Sequence, residues 1–213
     1  MVTKTGVSST KTRLLDVAEH LFLRDGLGVS VRDITDAAGQ NGAAVHYYFG
    51  SRDGLVGAVI ARRAGDLAAR RRSALEALRR APEPPTIEAP TIREVIRALV
   101  FAYVGLVDAE GPDAQRWIDL MHALWLDRSP ALDFMAQYAD QEHDWEHLAR
   151  GALPHLTDDV FAARLALAIE TIIVGLRTPS ATPGSTRVML PASLRARAEL
   201  LVDFVVAGLE GPC

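Results

Sequence analysis

Ser30-Val31-Arg32-Asp33-Ile34-Thr35-Asp36-Ala37-Ala38-Gly39 runs straight into Gln40-Asn41-Gly42-Ala43-Ala44-Val45-His46-Tyr47-Tyr48-Phe49-Gly50, and the pair reads as two short helices broken by one sharp turn. Ser30 is a favoured N-cap, and Asp33 three residues on can close a capping box, with Asp where Glu or Gln is usual. Ile34, Ala37 and Ala38 form a narrow apolar stripe. Gly39 stands where a helix ending needs a positive φ. Asn41 can cap the next helix, in which Val45 and Phe49 share a face at i, i+4. Two helices joined this way form a helix-turn-helix, which presents its second helix to the DNA major groove.

Working outward, residues 1–9 are polar and are expected to form a loose arm. Helix 1 is predicted from Thr10 to Arg24, with Leu14, Leu15, Ala18, Leu21 and Phe22 inward and Gly26 closing it. A long helix 4 is predicted over 52–80, using Leu55, Val59, Leu67, Leu75 and Leu78. Pro82-Glu83-Pro84-Pro85 ends it, because proline cannot continue a helix. Further helices are expected at 91–107, 113–126, 130–150, 158–176 and 191–209, with a loop over 178–185. No segment shows the alternation of a strand. The fold class is therefore all-α. A three-helix domain (1–50) is followed by the connecting helix (51–80), a Pro-rich linker (81–90) and a helical body (91–213).

Residues 10–60, about a quarter of the chain, resemble the DNA-binding domain of the TetR family of bacterial regulators. The resemblance rests on Thr10-Lys11, Gly26, Ile34-Thr35, Ala38-Gly39, His46-Tyr47-Tyr48-Phe49 and Ser51-Arg52-Asp53-Gly54-Leu55. The chain departs from the common pattern at the recognition helix. His46 replaces the usual Tyr, Tyr48 the usual His, and Gln40-Asn41 the usual Val-Ser. The resemblance implies a homodimeric regulator of a double-stranded DNA operator. A repressor released by a small-molecule effector is the first reading, and a ligand-independent or activating regulator is the alternative. No enzymatic activity and no cofactor are implied. Gln40, Asn41, His46 and Tyr47 are the candidates for base-edge contact, because Asn and Gln suit adenine. Gly42, Ala43 and Ala44 permit close approach and contact with a thymine methyl. Lys11, Arg32, Tyr48 and Arg52 are the candidates for phosphate contact, together with the start of helix 3.

The net charge of −4 conceals an asymmetry. Residues 1–80 carry 13 basic and 8 acidic side chains, and the remainder carries 10 and 19. This sign change suggests that only one end meets a polyanion. The excess comes from Arg62, Arg63, Arg70, Arg71, Arg72, Arg79 and Arg80, since residues 1–55 balance at six of each sign. Arg79 lies roughly 40 Å along the helix from Arg52, too far to share the same duplex end. The arginines from 70 to 80 therefore read as a solvated face or as partners of acidic neighbours. There is no 18-residue apolar run and no signal-peptide h-region, so neither a membrane span nor secretion is expected. A single Cys213 excludes an internal disulfide and suits a cytoplasmic protein.

In the body, helix 8 and the last helix are apolar almost all round. Such helices are either buried or paired with another chain. In the family the last two helices pair across a two-fold axis, so Leu165, Ile169, Ile172, Ile173, Leu176, Leu201, Phe204 and Val205 are the candidate dimer residues. The middle helices concentrate large side chains. Tyr103, Trp117, Met121, His122, Trp125, Phe134 and Tyr138 are the candidates to line an apolar or aromatic effector's cavity, against the alternative of ordinary core.

One pattern points to a different class. His143-Asp144-Trp145-Glu146-His147 matches H-x-x-E-H, in which two histidines at i, i+4 can grip zinc and the Glu can activate its water. A metal-binding or hydrolytic protein is thus the alternative outside DNA binding. It needs a third ligand, for which Glu170, Glu199 or Glu210 would have to serve. Three fixed positions on an acidic helix arise readily by chance, so a solvated helix face is the simpler reading and no metal site is assigned.

Overall fold

The computed structural model describes residues 4–80, 89–133, 139–178, 191 and 193–212; the side chains of residues 4–9, 80 and 139–143 lie outside that description. The described residues form helices and no strand. In chain order these are α1 (Lys4–Asp25), α2 (Val31–Ala38), α3 (Ala43–Phe49), α4 (Arg52–Arg80), α5 (Ile92–Glu110), α6 (Pro112–Leu126), α7 (Ala139–Ala152), α8 (Asp158–Leu176) and α9 (Leu194–Glu210). They group into two compact units: residues 1–65 with 116–136, and residues 66–115 with 137–213.

The first unit is built on α1, α2 and α3, the start of α4 and the later part of α6. Leu14, Ala18, Phe22, Ile34, Ala38, Val45, Leu55, Val59 and Ile60 make its core, each essentially without solvent contact. Trp117 is fully buried there, and its Nε1–H donates to the Ile60 carbonyl at 3.1 Å. That bond satisfies the indole's one donor, as burial of a tryptophan requires. Gly57 lets α4 approach the 131 backbone, where an added Cβ would stand 2.8 Å from the Ala131 carbonyl.

The second unit packs α9 against α5 and α8, and α5 against α7. Val95, Ile96, Val100 and Leu106 of α5 are buried with Leu165, Ile172 and Leu176 of α8 and Val202, Val205, Val206 and Leu209 of α9. At Gly175 an added Cβ would meet Leu201 Cδ1 at 2.7 Å, so the missing side chain permits close approach of α8 and α9. Three exposed ion pairs join α5 to α9: Arg93–Asp203, Arg97–Glu199 and Arg195–Asp108.

The helix ends follow their caps. Thr91 accepts from the Glu94 N–H at 3.3 Å while the Glu94 carboxylate accepts from the Thr91 N–H at 2.8 Å, so α5 starts one residue after the cap. Ser193 caps α9 through the Ala196 N–H, and the helix therefore begins at Leu194 rather than at Pro191. Two expectations are corrected. The expected loose arm is helical from Lys4, since no proline precedes Thr10 to break the turn. The expected helix from Pro130 to Arg150 is instead a single 3₁₀ turn at 130–133 and a helix from Ala139. The expected loop lies mostly outside the described residues.

Candidate nucleic-acid interface

The turn between α2 and α3 is fixed by local chemistry. Ser30 Oγ accepts from the Asp33 N–H at 3.1 Å, and the Asp33 carboxylate accepts from the Ser30 N–H at 3.1 Å and its hydroxyl at 2.6 Å. Those hydrogen bonds from Ser30 hold the Asp33 carboxyl below the usual carboxylate range. Gly39 ends α2 at φ 64°, ψ 37°, and its N–H turns back to the Asp36 carbonyl. Thr35 is buried beneath this turn; its hydroxyl donates to the Arg32 carbonyl and its own carbonyl accepts from Gln40. Asn41 Oδ1 then accepts the Ala44 N–H at 3.1 Å, one residue ahead of Gly42, where the N-cap of α3 falls in place of the expected Asn41.

On α3, Val45 is the buried anchor, while Phe49 and Tyr48 are half-buried. Gly42, Ala43, His46 and Tyr47 are exposed, Tyr47 to 76%. Gln40 and Ala44 are half-buried, and Asn41 is exposed. Tyr47 and Tyr48 meet edge to face with ring centres 4.8 Å apart. His46 Nδ1 donates to the Gly50 carbonyl at 3.1 Å. The helix thus shows one small, polar and aromatic face to solvent while its apolar face is pinned to the core.

The four candidate phosphate residues fall into different settings. Lys11 is exposed, with its ammonium 5.7 Å from the centre of the Phe49 ring. Arg32 is exposed and loosely paired with Asp36 at 3.6 Å. Tyr48 belongs to the aromatic pair just described. Arg52 is half-buried and reaches back across the fold. Its guanidinium donates to the Leu27 and Val29 carbonyls and lies 5.7 Å from the Phe22 ring centre. It ties the loop between α1 and α2 to the start of α4, a structural duty its place in the sequence did not reveal. Arg62 bonds Asp16 at 2.6 Å and Glu19 at 2.5 Å, and Arg63 bonds Glu19. In the second unit Arg71 donates to the Tyr103 hydroxyl at 2.7 Å, and Arg79 pairs with Asp144 at 3.1 Å. Much of the apparent basic excess is thus engaged within the fold.

The candidate effector residues are divided between the units. Tyr103 lies in the second, bonded to Arg71; Trp117, Met121, His122 and Trp125 lie in the first. Trp117 is core, Met121 and His122 are half-buried, and Trp125 is 38% exposed. Phe134 and Tyr138 lie outside the described residues. For the H-x-x-E-H pattern, Glu146 and His147 are exposed and the His143 side chain lies outside the description. No grouping of three or more metal-ligating side chains occurs among the described residues.

On α8 and α9 the candidate dimer residues divide by burial within the protomer. Leu165, Ile172, Leu176, Leu201 and Val205 are buried inside the protomer, Ile169 and Ile173 are half-buried, and Phe204 alone of the set stands out at 69% exposure. The apolar side chains left open are Leu167 at 68%, Leu200 at 55%, Val174 and Phe204. With Glu170, Thr171, Gly175, Arg197 and Leu201, the last three of these line a groove of about 620 Å³. Helices apolar on two faces do not announce which face the protomer keeps. The open stripe is offset by a residue or two from the expected one.

These features define a class: a protein whose described residues are all-helical, with a helix-turn-helix whose second helix exposes Gly42, Ala43, His46 and Tyr47. Comparison with known proteins adds likenesses to this class. Residues 14–59 match "Bacterial regulatory proteins, tetR family". The HTH-type transcriptional repressor KstR2 of Rhodococcus jostii (strain RHA1) is 39% identical over 56 residues, which is 26% of this chain and 28% of that protein. Among solved structures, the probable transcriptional regulatory protein RHA5900 superposes with a TM-score of 0.56 at 20% identity, over 95% of this chain and all of that one. The TetR-family regulator PfmR from Thermus thermophilus gives 0.51 at 18% identity, over 93% of this chain and 98% of that one. Residues 14–59 are thus similar to the DNA-binding region of TetR-family regulators, and the helical fold is shared with these two solved structures. No helix among the described residues is long and apolar enough to cross a membrane.

Proposed function

We propose that this protein is a homodimeric transcriptional regulator, acting as a repressor, that binds a palindromic operator and is released by an apolar or aromatic small molecule. The observation that carries the reading is α3 itself: an exposed face of Gly42, Ala43, His46 and Tyr47 on a helix held by Gly39 and Asn41. Gln40, Asn41, His46 and Tyr47 read base edges, and Lys11, Arg32 and Tyr48 fix register on phosphates. Arg52 contributes by holding the α1–α2 loop, with phosphate contact as a second role.

Dimerisation uses the open stripe of Leu167, Val174, Leu200 and Phe204. A two-fold axis through it makes the contact isologous and supplies two recognition helices for two half-sites. The effector binds within the helical body of residues 91–213, and the repression is relieved when the two recognition helices lose their fixed spacing. The KstR2 match supports repression. The test is capture of genomic fragments by the purified full chain, followed by sequencing and by light scattering of the complex. Recovered fragments sharing one palindrome, with two chains per duplex, support the proposal. Unpatterned recovery or one chain per duplex contradicts it.

A further inference from the structure

His46 stands exposed on the recognition helix, and its hydrogen-bonding sign is set by the backbone. The Gly50 N–H donates to the His46 carbonyl at 3.0 Å, ending α3. Gly50 itself has φ 75°, ψ −42°, a conformation comfortable for glycine, and its carbonyl lies 3.1 Å from His46 Nδ1. A carbonyl oxygen has only lone pairs to offer, so the hydrogen of this bond belongs to Nδ1. In a neutral imidazole one nitrogen carries the proton and the other accepts. The Tyr47 and Tyr48 hydroxyls can rotate to donate or accept, and an amide at 40 or 41 offers both. His46 has no such freedom.

We propose that the Gly50 carbonyl locks neutral His46 as the Nδ1–H tautomer, leaving Nε2 a pure acceptor that selects an amino-bearing base, adenine or cytosine, on the contacted strand. Adenine presents its N6 amino group and cytosine its N4 amino group in the major groove, whereas guanine N7 and O6 and thymine O4 present lone pairs that would oppose a bare Nε2. The inference rests on the DNA-reading proposal above and adds a specificity that fold and family leave open.

The test has two arms, both on the full chain under mildly alkaline conditions. Nitrogen-15 spectra of the histidine rings are expected to show His46 protonated at Nδ1 and bare at Nε2. Selection from a random duplex pool is then run for the wild type, His46→Ala and His46→Arg. The wild type is expected to prefer adenine or cytosine at one position per half-site. His46→Ala should flatten that position by about five-fold and leave the others, the discrimination expected of one hydrogen bond. His46→Arg, which only donates, should move the preference to guanine. An Nε2–H tautomer, a guanine or thymine at the flattened position, or no flattened position would overturn the inference while leaving DNA reading intact. A wild-type selection that enriches nothing would overturn DNA reading and the inference together.

Discussion

The α2–α3 turn and the α8–α9 pair hold their shapes by opposite means. The first is short and directed: Ser30 against Asp33, Gly39 at positive φ, Asn41 on Ala44, and Arg52 on the 27 and 29 carbonyls. Each polar atom so used sets an angle, and what remains exposed is small, polar or aromatic. The second is long and undirected, packed through Leu165, Ile172, Leu176, Val202 and Val205, with apolar side chains left over on the outside. Directed bonds produce one surface of defined chemistry. Apolar packing produces a stable pair but leaves the outer face to be settled by whatever covers it.

The largest effect expected from breaking this contrast is on the outer face. Phe204→Asp should weaken self-association by about thirty-fold or more, the scale of an interface hot spot, without lowering the protomer's helicity. Sedimentation over a concentration series and circular dichroism check both halves. The neighbouring Val205→Asp buries a charge inside the protomer and should unfold the second unit. If both variants merely unfold, the distinction between inner and outer faces fails.

The directed region should respond to loss of single bonds. Arg52→Ala removes the donor for two backbone carbonyls and should cost about 2 kcal/mol, seen as faster hydrogen exchange across α1 to α3, with DNA affinity lowered equally for all sequences. Unchanged exchange with lowered affinity would return Arg52 to a phosphate role alone. Ser30→Ala should cost about 1 kcal/mol through the lost cap. The wild-type bond also carries a pH signature. Asp33 titrates lower when folded, so its contribution is complete above the unfolded carboxylate's range and is lost as pH falls through the folded value. The acid limb of a stability–pH curve should therefore flatten in Ser30→Ala. The smallest effect is expected from Arg93→Ala, which breaks an exposed pair and should change stability by about 0.5 kcal/mol or less.

Sequence was legible where local chemistry dictates backbone geometry. Ser30 and Gly39 each predict a specific cap, and each is present, while Asn41 accepts the Ala44 N–H one residue ahead of the N-cap at Gly42. The bounds read for α8 from the periodicity of the chain, 158–176, match the helix found. Side-chain destination was less legible. Nothing near Arg52 in sequence reveals that it reaches Leu27 and Val29, 25 and 23 residues away. Trp117 could be read from sequence as cavity lining or as ordinary core; it is fully buried, and its one polar atom finds the Ile60 carbonyl. Leu201 and Leu200 are adjacent leucines with opposite fates, buried and exposed, decided by the approach of α9 to Gly175.

The measurement that bears most directly on the central claim is selection of bound duplexes from a random DNA pool by the purified chain, sequenced at two salt concentrations. A dimeric sequence reader predicts an enriched palindrome whose half-sites lie about one helical turn apart, or at a related fixed spacing, and persist at the higher salt. Weak, salt-sensitive recovery without pattern would contradict it, leaving a helix-turn-helix that meets phosphates and reads nothing.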